Sequence, residues 1–475
     1  MLATLVVIAL VVQDQAPLRA APQDSAPRQA TLWQGEWLEV RGERQGFLQV
    51  YDQRRERPGY VREHQVRILR LEEASVPRLQ AVVEFLRDTS GAEALGIGYA
   101  AALLRAAPAS QVGPELFDAL GTSADRLARR ATSNKTNDVA LAAHLDVAAS
   151  YGVKLVSFER EGRTRVCYDG EAFRRVLALG GTPEARLRAA LALTRPECID
   201  PALGPLEQQA LNEWRGSVLE QVDAGRLPAY LANRLHLRRA EVYATLAYQL
   251  SRRGEAQRGA KASARAVDSL ASVLKAELAE EDTQTYATVA VRVGASRQAS
   301  EPALEPPASG PRLDLAPGQP GETCLRLVDA KTSHQDAPNK EEETRSERCT
   351  YGLVWPGSVR RSAQGSAVAV AVQLLEGWTE LWVFHQEAEG WVLDVLAPAA
   401  TEPRLGYVEL AGFSPDGSRV LVAREALVEG RIKSSFQVLK RDSLLPEKSA
   451  DNPGGLGAFQ RWSTPDWRDR SVALR

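Results

Sequence analysis

Apolar residues recur along this chain at three spacings, and each spacing predicts a different kind of element. Leu2 to Val12 is one unbroken run of apolar and small residues. Between Ala30 and Leu69 the period is two: Leu38, Val40, Phe47, Val50, Tyr60, Val61, Val66 and Ile68 alternate with polar neighbours, and Gly35, Gly42, Gly46 and Gly59 break the runs. Short, half-buried strands follow from that alternation. From Ser75 to Ala290 the period is helical. Leu79, Val82, Val83 and Leu86 form one stripe behind Ser75 and Pro77, and Leu231, Leu235, Val242, Leu246 and Leu250 form another. Val153–Phe158 and Thr164–Tyr168 interrupt the helices as two strands around Glu161-Gly162. From Tyr351 onward, short apolar runs separated by turn residues predict strands again, among them Ala367–Leu375, Tyr407–Phe413 and Arg419–Arg424.

These patterns predict a multidomain α+β chain. A leader over 1–28 precedes a small β-barrel over 29–70, then an α-helical domain over 75–290 built as a helical array and carrying the hairpin near 153–168. A Pro/Ala-rich stretch over 294–320 reads as a linker, and 321–475 as an antiparallel β domain. The polar run Lys331–Arg348 reads as a loop within that last domain. With 475 residues and 44% hydrophobic content, the chain has enough apolar surface for several cores.

Three stretches resemble known families. Gly46-Phe47-Leu48-Gln49-Val50, then Gly59-Tyr60-Val61-Arg62 and Val66, resemble the bacterial Src-homology-3-like domain over about forty residues. That resemblance implies a module for cell-wall, peptide or protein recognition in an exported protein. Trp33, Trp37, Tyr51 and Tyr60 are the candidate ligand-binding aromatics, because rigid amphipathic rings bind with little loss of side-chain freedom. Phe413-Ser414-Pro415-Asp416-Gly417-Ser418, followed by Arg419-Val420-Leu421-Val422-Ala423, resembles the repeat of Tol-B-type β-propeller blades, which implies blade-like repeats in the C-terminal domain. The Pro-Asp-Gly turn has a mechanical reason and carries no catalytic meaning. Tyr243, Leu246, Ala247, Leu250, Gly254 and Ala266 faintly resemble one tetratricopeptide unit.

The first apolar run suits the core of a signal peptide and is too short to span a bilayer, so export to the periplasm or beyond is expected, with membrane contact only through that leader. No Lys or Arg precedes the run, and no A-x-A site appears before Ala21. Cys167, Cys198, Cys324 and Cys349 fall as two well-separated pairs without metal-knuckle spacing. Of three possible connectivities, Cys167 with Cys198 and Cys324 with Cys349 keeps each bridge inside one domain. Each such loop closure stabilises by roughly 3 to 4 kcal/mol in the chain-entropy picture.

A formal net charge of −2, with Arg interleaved among Glu and Asp, argues against a nucleic-acid partner. The five histidines stand at no metal-ligand spacing, and H-E-x-x-H, G-x-S-x-G and P-loop motifs are absent, so no catalytic residue, metal ligand or cofactor is assigned. Gly96-Ile97-Gly98-Tyr99-Ala100-Ala101 matches G-x-G-x-x-A but follows no strand, and reads as close packing at small residues. The expected function is that of a non-enzymatic cell-envelope binding or scaffold protein with a peptide, cell-wall or protein partner. The alternative is a periplasmic hydrolase or wall-modifying enzyme whose catalytic residues carry no local motif. Oligomeric state is not readable from the chain.

Overall fold

The apolar run at the start of the chain is, from Val7 to Val11, a strand (β1) whose Ala9, Leu10 and Val11 are completely buried. The computed structural model describes residues 7–133, 138–303, 310–330, 344–400 and 403–474. β1 therefore corrects the expectation of a signal-peptide core for its described part; Leu2–Val6 lie outside the described residues. The leader reading of 13–28 is corrected as well, since that stretch holds β2 (Ala16–Arg19) and the first residue of β3 (Arg28–Leu32). With β4 (Trp37–Arg44), β5 (Phe47–Asp52), β6 (Arg57–Arg62) and β7 (Val66–Arg70) they make one antiparallel sheet in the order β3-β2-β6-β5-β4-β1-β7. Ala16, Leu18 and Leu32 from one end of that order and Val66 from the other join one buried cluster with Leu48, Val50 and Val61. The sheet thus curls around a shared interior, while β3 and β7 do not pair, so no closed barrel forms.

Helices follow: α1 (Val76–Arg87), α2 (Glu93–Ala106), α3 (Pro114–Ser133) and α4 (Val139–Ser150). The hairpin of β8 (Leu155–Arg160) and β9 (Arg163–Tyr168) comes next, then α5 (Glu171–Leu179) and α6 (Pro183–Leu193). Thr182 caps α6 by accepting from the Ala185 N–H at 3.2 Å, as Thr-Pro-Glu signals. Ser75 makes no such bond, and the first turn of α1 rests on Pro77. Small residues let α2 sit on the sheet: a Cβ added to Gly98 would stand 2.8 Å from the Gly35 carbonyl oxygen.

The chain divides into two units, Met1–Gly204 with Val218–Leu227, and Pro205–Ser217 with Pro228–Arg475. The stretch 75–290, expected as one helical domain, therefore contributes to both. The division falls inside α7 (Pro205–Glu220). The second unit continues with α8 (Ala229–Arg252), α9 (Ala256–Ala271) and α10 (Thr283–Ser296).

The expected linker 294–320 is instead structured where it is described: it holds the end of α10, a 3₁₀ turn at Arg297–Ser300 and the strand β10 (Gly310–Pro317). β10 pairs with β11 (Thr323–Ala330), which pairs with β12 (Thr344–Thr350); the expected loop Lys331–Arg348 is therefore strand from Thr344 onward, and its remainder, 331–343, lies outside the described residues. Next come β13 (Leu353–Val354), β14 (Arg360–Arg361), β15 (Ala367–Leu375), β16 (Trp378–Glu387) and β17 (Gly390–Leu396). β18 (Gly406–Phe413), β19 (Arg419–Val428), β20 (Arg431–Lys440) and β21 (Pro446–Ala450) form a second antiparallel meander. Its backbone pairs with β16 through a short parallel stretch at Trp378–Gly406 and Thr379–Tyr407.

Side-chain alternation stacks these sheets face to face. Val368, Val370 and Val372 of β15 pack with Leu325 and Leu327 of β11, while Ala369, Leu381 and Val383 pack with Val408, Val420 and Val422 of the second meander. The far side of that meander, through Leu421, Ala423 and Phe436, is covered by Phe459 of α11 (Gly457–Trp462) and Trp467 of α12 (Pro465–Arg470). Strands buried on both faces read as near-continuous apolar runs, as Ala367–Gln373 does.

Candidate functional site

The four candidate aromatics separate. Trp37 belongs to the interior between sheet and helices: its indole N–H donates to the Gly98 carbonyl at 3.3 Å, and its ring lies 5.2 Å from that of Tyr151. Tyr151 in turn donates its hydroxyl to the Gly35 carbonyl at 2.6 Å, and burial pushes its pKa well up. Trp33 lies in the β3–β4 turn, where its carbonyl accepts from the Glu36 N–H. Tyr51 and Tyr60 do come together. Cross-strand partners share a face, and Leu48 with Val61 and Val50 with Gly59 point into the sheet's interior. The intervening pairs Phe47–Arg62, Gln49–Tyr60 and Tyr51–Pro58 therefore share the other face, on which Phe47 is buried and the two tyrosines are diagonal neighbours, both half-buried.

Two arginines complete that face. A bulge between Val40 and Gly42 leaves Arg41 as the extra residue of β4, with its guanidinium 4.1 Å from the Tyr51 ring centre. Arg62 stands 4.1 Å over Phe47 and pairs with Asp24, whose carboxyl it holds below the usual range. Phe47 is buried beneath Arg62, at 2% exposure, so the rings left partly open on this face are those of Tyr51 and Tyr60, with the Arg41 guanidinium against the first.

Elsewhere in the same unit, sequence reading missed a cleft of about 810 Å³. α3 supplies Arg129, Thr132 and Ser133, β9 supplies Arg163, Thr164 and Arg165, and the turn at Pro196–Cys198 contributes Glu197 beside Arg195. Three fastenings hold these walls. The Cys167–Cys198 bridge ties β9 to the turn, with the two Cα atoms 5.9 Å apart. The Arg160 guanidinium donates to the Pro196 carbonyl at 2.8 Å. The Thr132 hydroxyl donates to the Val166 carbonyl at 3.1 Å and accepts from its N–H at 2.9 Å, which fixes α3 to β9. Arg129 and Arg195 share Asp125, and Arg195, only 7% exposed, also holds Glu197 at 2.9 Å. The only signals in the sequence were the cysteine spacing and the arginine-rich hairpin.

The second unit holds a buried charge network. Arg297 donates to Glu409 at 2.8 Å and to Glu301; Glu409 also accepts from the Trp467 indole N–H at 2.9 Å and from the Ser471 hydroxyl. Arg360 joins Asp466 at 2.9 Å across a cavity of about 90 Å³. The carboxylates around it are paired, so the network locks the C-terminal segment onto β18.

Two histidines meet carboxylates: His144 lies 2.7 Å from Asp14, and His385 lies 2.9 Å from Asp394. Among the described residues, neither pair has a serine or cysteine in hydrogen-bond contact, and all four cysteines are bridged as expected, Cys324 to Cys349 across β11 and β12. One group among the described residues brings potential metal ligands together, Glu322 with Cys324 and Cys349, and two of its three donors are joined to each other. Searches against protein-family models, curated proteins and solved structures found no match to this chain.

Proposed function

We propose that this chain is an exported, non-enzymatic binding or scaffold protein that recognises a protein, peptide or cell-wall partner through the outward face of β4–β6. The observation that carries this reading is the placement of Tyr51 and Tyr60 as half-buried neighbours on one partly open face, with Arg41 over the first ring. Tyrosine and arginine contribute most at recognition surfaces, because rigid rings and forked donors lose little freedom on contact. In this reading the curled N-terminal sheet is a Src-homology-3-like module, and the stacked meanders are blade-like repeats that serve as a scaffold. Two disulfides support an oxidising, extracytoplasmic compartment. Among the described residues no helix is long and apolar enough to cross a membrane.

The test is a comparison of two baits of matched melting temperature, the native protein and a Tyr51→Ala/Tyr60→Ala variant, presented to solubilised cell-envelope extract and to isolated cell wall. A partner retained by the native bait and lost from the variant supports the proposal. Identical retention by both, or retention by neither, overturns it.

A further inference from the structure

We propose that the cleft between α3, β9 and the Pro196–Cys198 turn is a binding site for a phosphate-type dianion, with Arg163 and Arg165 as its ligands. This site is separate from the tyrosine face and does not rest on it. Four guanidinium groups line the cleft. Arg129 and Arg195 are offset by Asp125 and Glu197, which they contact. Arg163 and Arg165 contact no carboxylate among the described residues, so two positive charges are left over at one opening. A further carboxylate, Glu159, contacts the lining residue Thr164. It accepts from the Thr164 hydroxyl at 2.6 Å, which takes up one of its lone pairs and holds it on the hairpin.

Hydrogen bonding points the same way. The Nε of Arg165 is buried and has no acceptor, although a guanidinium N–H shut away from water without a partner is destabilising. An oxyanion in the cleft supplies that acceptor. Arg presents its donors as a planar fork that matches two oxygens of a phosphate or carboxylate, and two forks from alternate residues of one strand match a group with three oxygens and two charges better than a single carboxylate. The cleft is also fixed in advance: the disulfide, the Thr132–Val166 bonds and the Arg160–Pro196 bond hold all three walls, so little ordering remains to oppose binding. Its volume, about 810 Å³, exceeds a free phosphate ion and suits a phosphate group attached to a larger molecule.

The experiment uses the full, oxidised chain. Inorganic phosphate is titrated calorimetrically into the native protein and into Arg163→Ala/Arg165→Ala, at constant ionic strength set with chloride. Saturable binding by the native protein, weakened roughly tenfold or more in the variant, is expected, since each lost charge-assisted bond to an oxyanion has an effect of that order. In parallel, phosphatidylcholine vesicles with and without phosphatidic acid are sedimented with the protein. Co-sedimentation only with phosphatidic acid places the phosphate on a lipid, and calorimetric binding without co-sedimentation places it on a soluble molecule. Should the variant melt lower than the native protein, the second readout is the rise in the native protein's own melting temperature with phosphate, compared with an equal concentration of chloride salt. Absence of saturable phosphate binding, equal affinity in a folded variant, or an equal rise with chloride overturns the proposal.

Discussion

Glu409 shows what a single carboxylate does in this chain. It is 2% exposed and takes bonds from Arg297, Trp467 and Ser471, residues that the sequence separates widely. Nothing near Glu409 in the sequence marks it, because its partners are assembled only by the stacking of sheets and C-terminal helices. Truncation leaves the Arg297 guanidinium buried with Glu301 alone. Glu409→Ala should therefore destabilise the second unit by roughly 3 to 5 kcal/mol, the range for breaking a buried ion pair, as read by urea unfolding. Asp416 is the opposite case, an exposed side chain whose role was legible. In the Ser-Pro-Asp-Gly-Ser turn it accepts from the Ser414 hydroxyl at 2.6 Å and from the Ser418 N–H and hydroxyl, and these bonds lower its pKa from 3.8 to about 2. A depressed carboxyl pKa means the unfolded chain takes up the proton first as pH falls. The contribution of Asp416 is thus complete above 3.8 and lost as pH falls from there towards about 2. Melting temperatures of the native protein and Asp416→Asn should differ at neutral pH and converge across that interval; a gap constant with pH would show that ionisation is irrelevant to the turn.

At the scale of elements, legibility followed the range of the interactions. The β8–β9 hairpin and the start of α6 were readable because turn and cap residues act on neighbours within a few positions. β1 was misread because a signal-peptide core and a strand buried on both sides require the same thing, a continuous apolar run of similar length. The supposed linker failed for another reason. Its small residues are there for contact: a Cβ on Gly294 would stand 2.3 Å from the Tyr407 ring, and the alternation of Leu313 and Leu315 with Arg312 and Asp314 was hidden among prolines. The arginine cleft was invisible because its walls lie at 129–133, 163–165 and 195–197 and meet only through tertiary fastenings. Thr132 is the fastening most open to test, since its hydroxyl serves both polar groups of Val166. Thr132→Val keeps the shape but strips the Val166 N–H of its acceptor, which should lower stability by about 1 to 3 kcal/mol in urea. Amide hydrogen exchange at Val166 should accelerate in the same variant. Unchanged protection there would mean that β9 is held to α3 by packing alone.

The whole molecule is a mixed α and β chain with an antiparallel sheet first, helices in the middle and stacked sheets last, as the pattern of apolar residues predicts. Its contacts group the curled sheet with α1–α6 and the later helices with the stacked sheets, whereas the sequence pattern reads the helices as one domain. Each unit holds clusters of its own, such as Val76, Leu79 and Val83 with Tyr99 in the first and Val408, Val420 and Val422 with Leu439 in the second. Each also has one disulfide, closing loops with sequence separations of 31 and 25. A loop of that size restrains the unfolded chain by about 3.5 kcal/mol, and the restraint acts only on the unit that contains it. Calorimetry of the oxidised protein should therefore resolve two transitions, as expected when units of one chain unfold on separate cores. Cys167→Ser/Cys198→Ser should lower one of them and Cys324→Ser/Cys349→Ser the other, with no thiol titratable in the native protein before denaturation and reduction. If both pairs of substitutions lowered a single shared transition, the two units would be one cooperative body, and the Glu409 network would have to stabilise the arginine cleft as well as the C-terminal sheets.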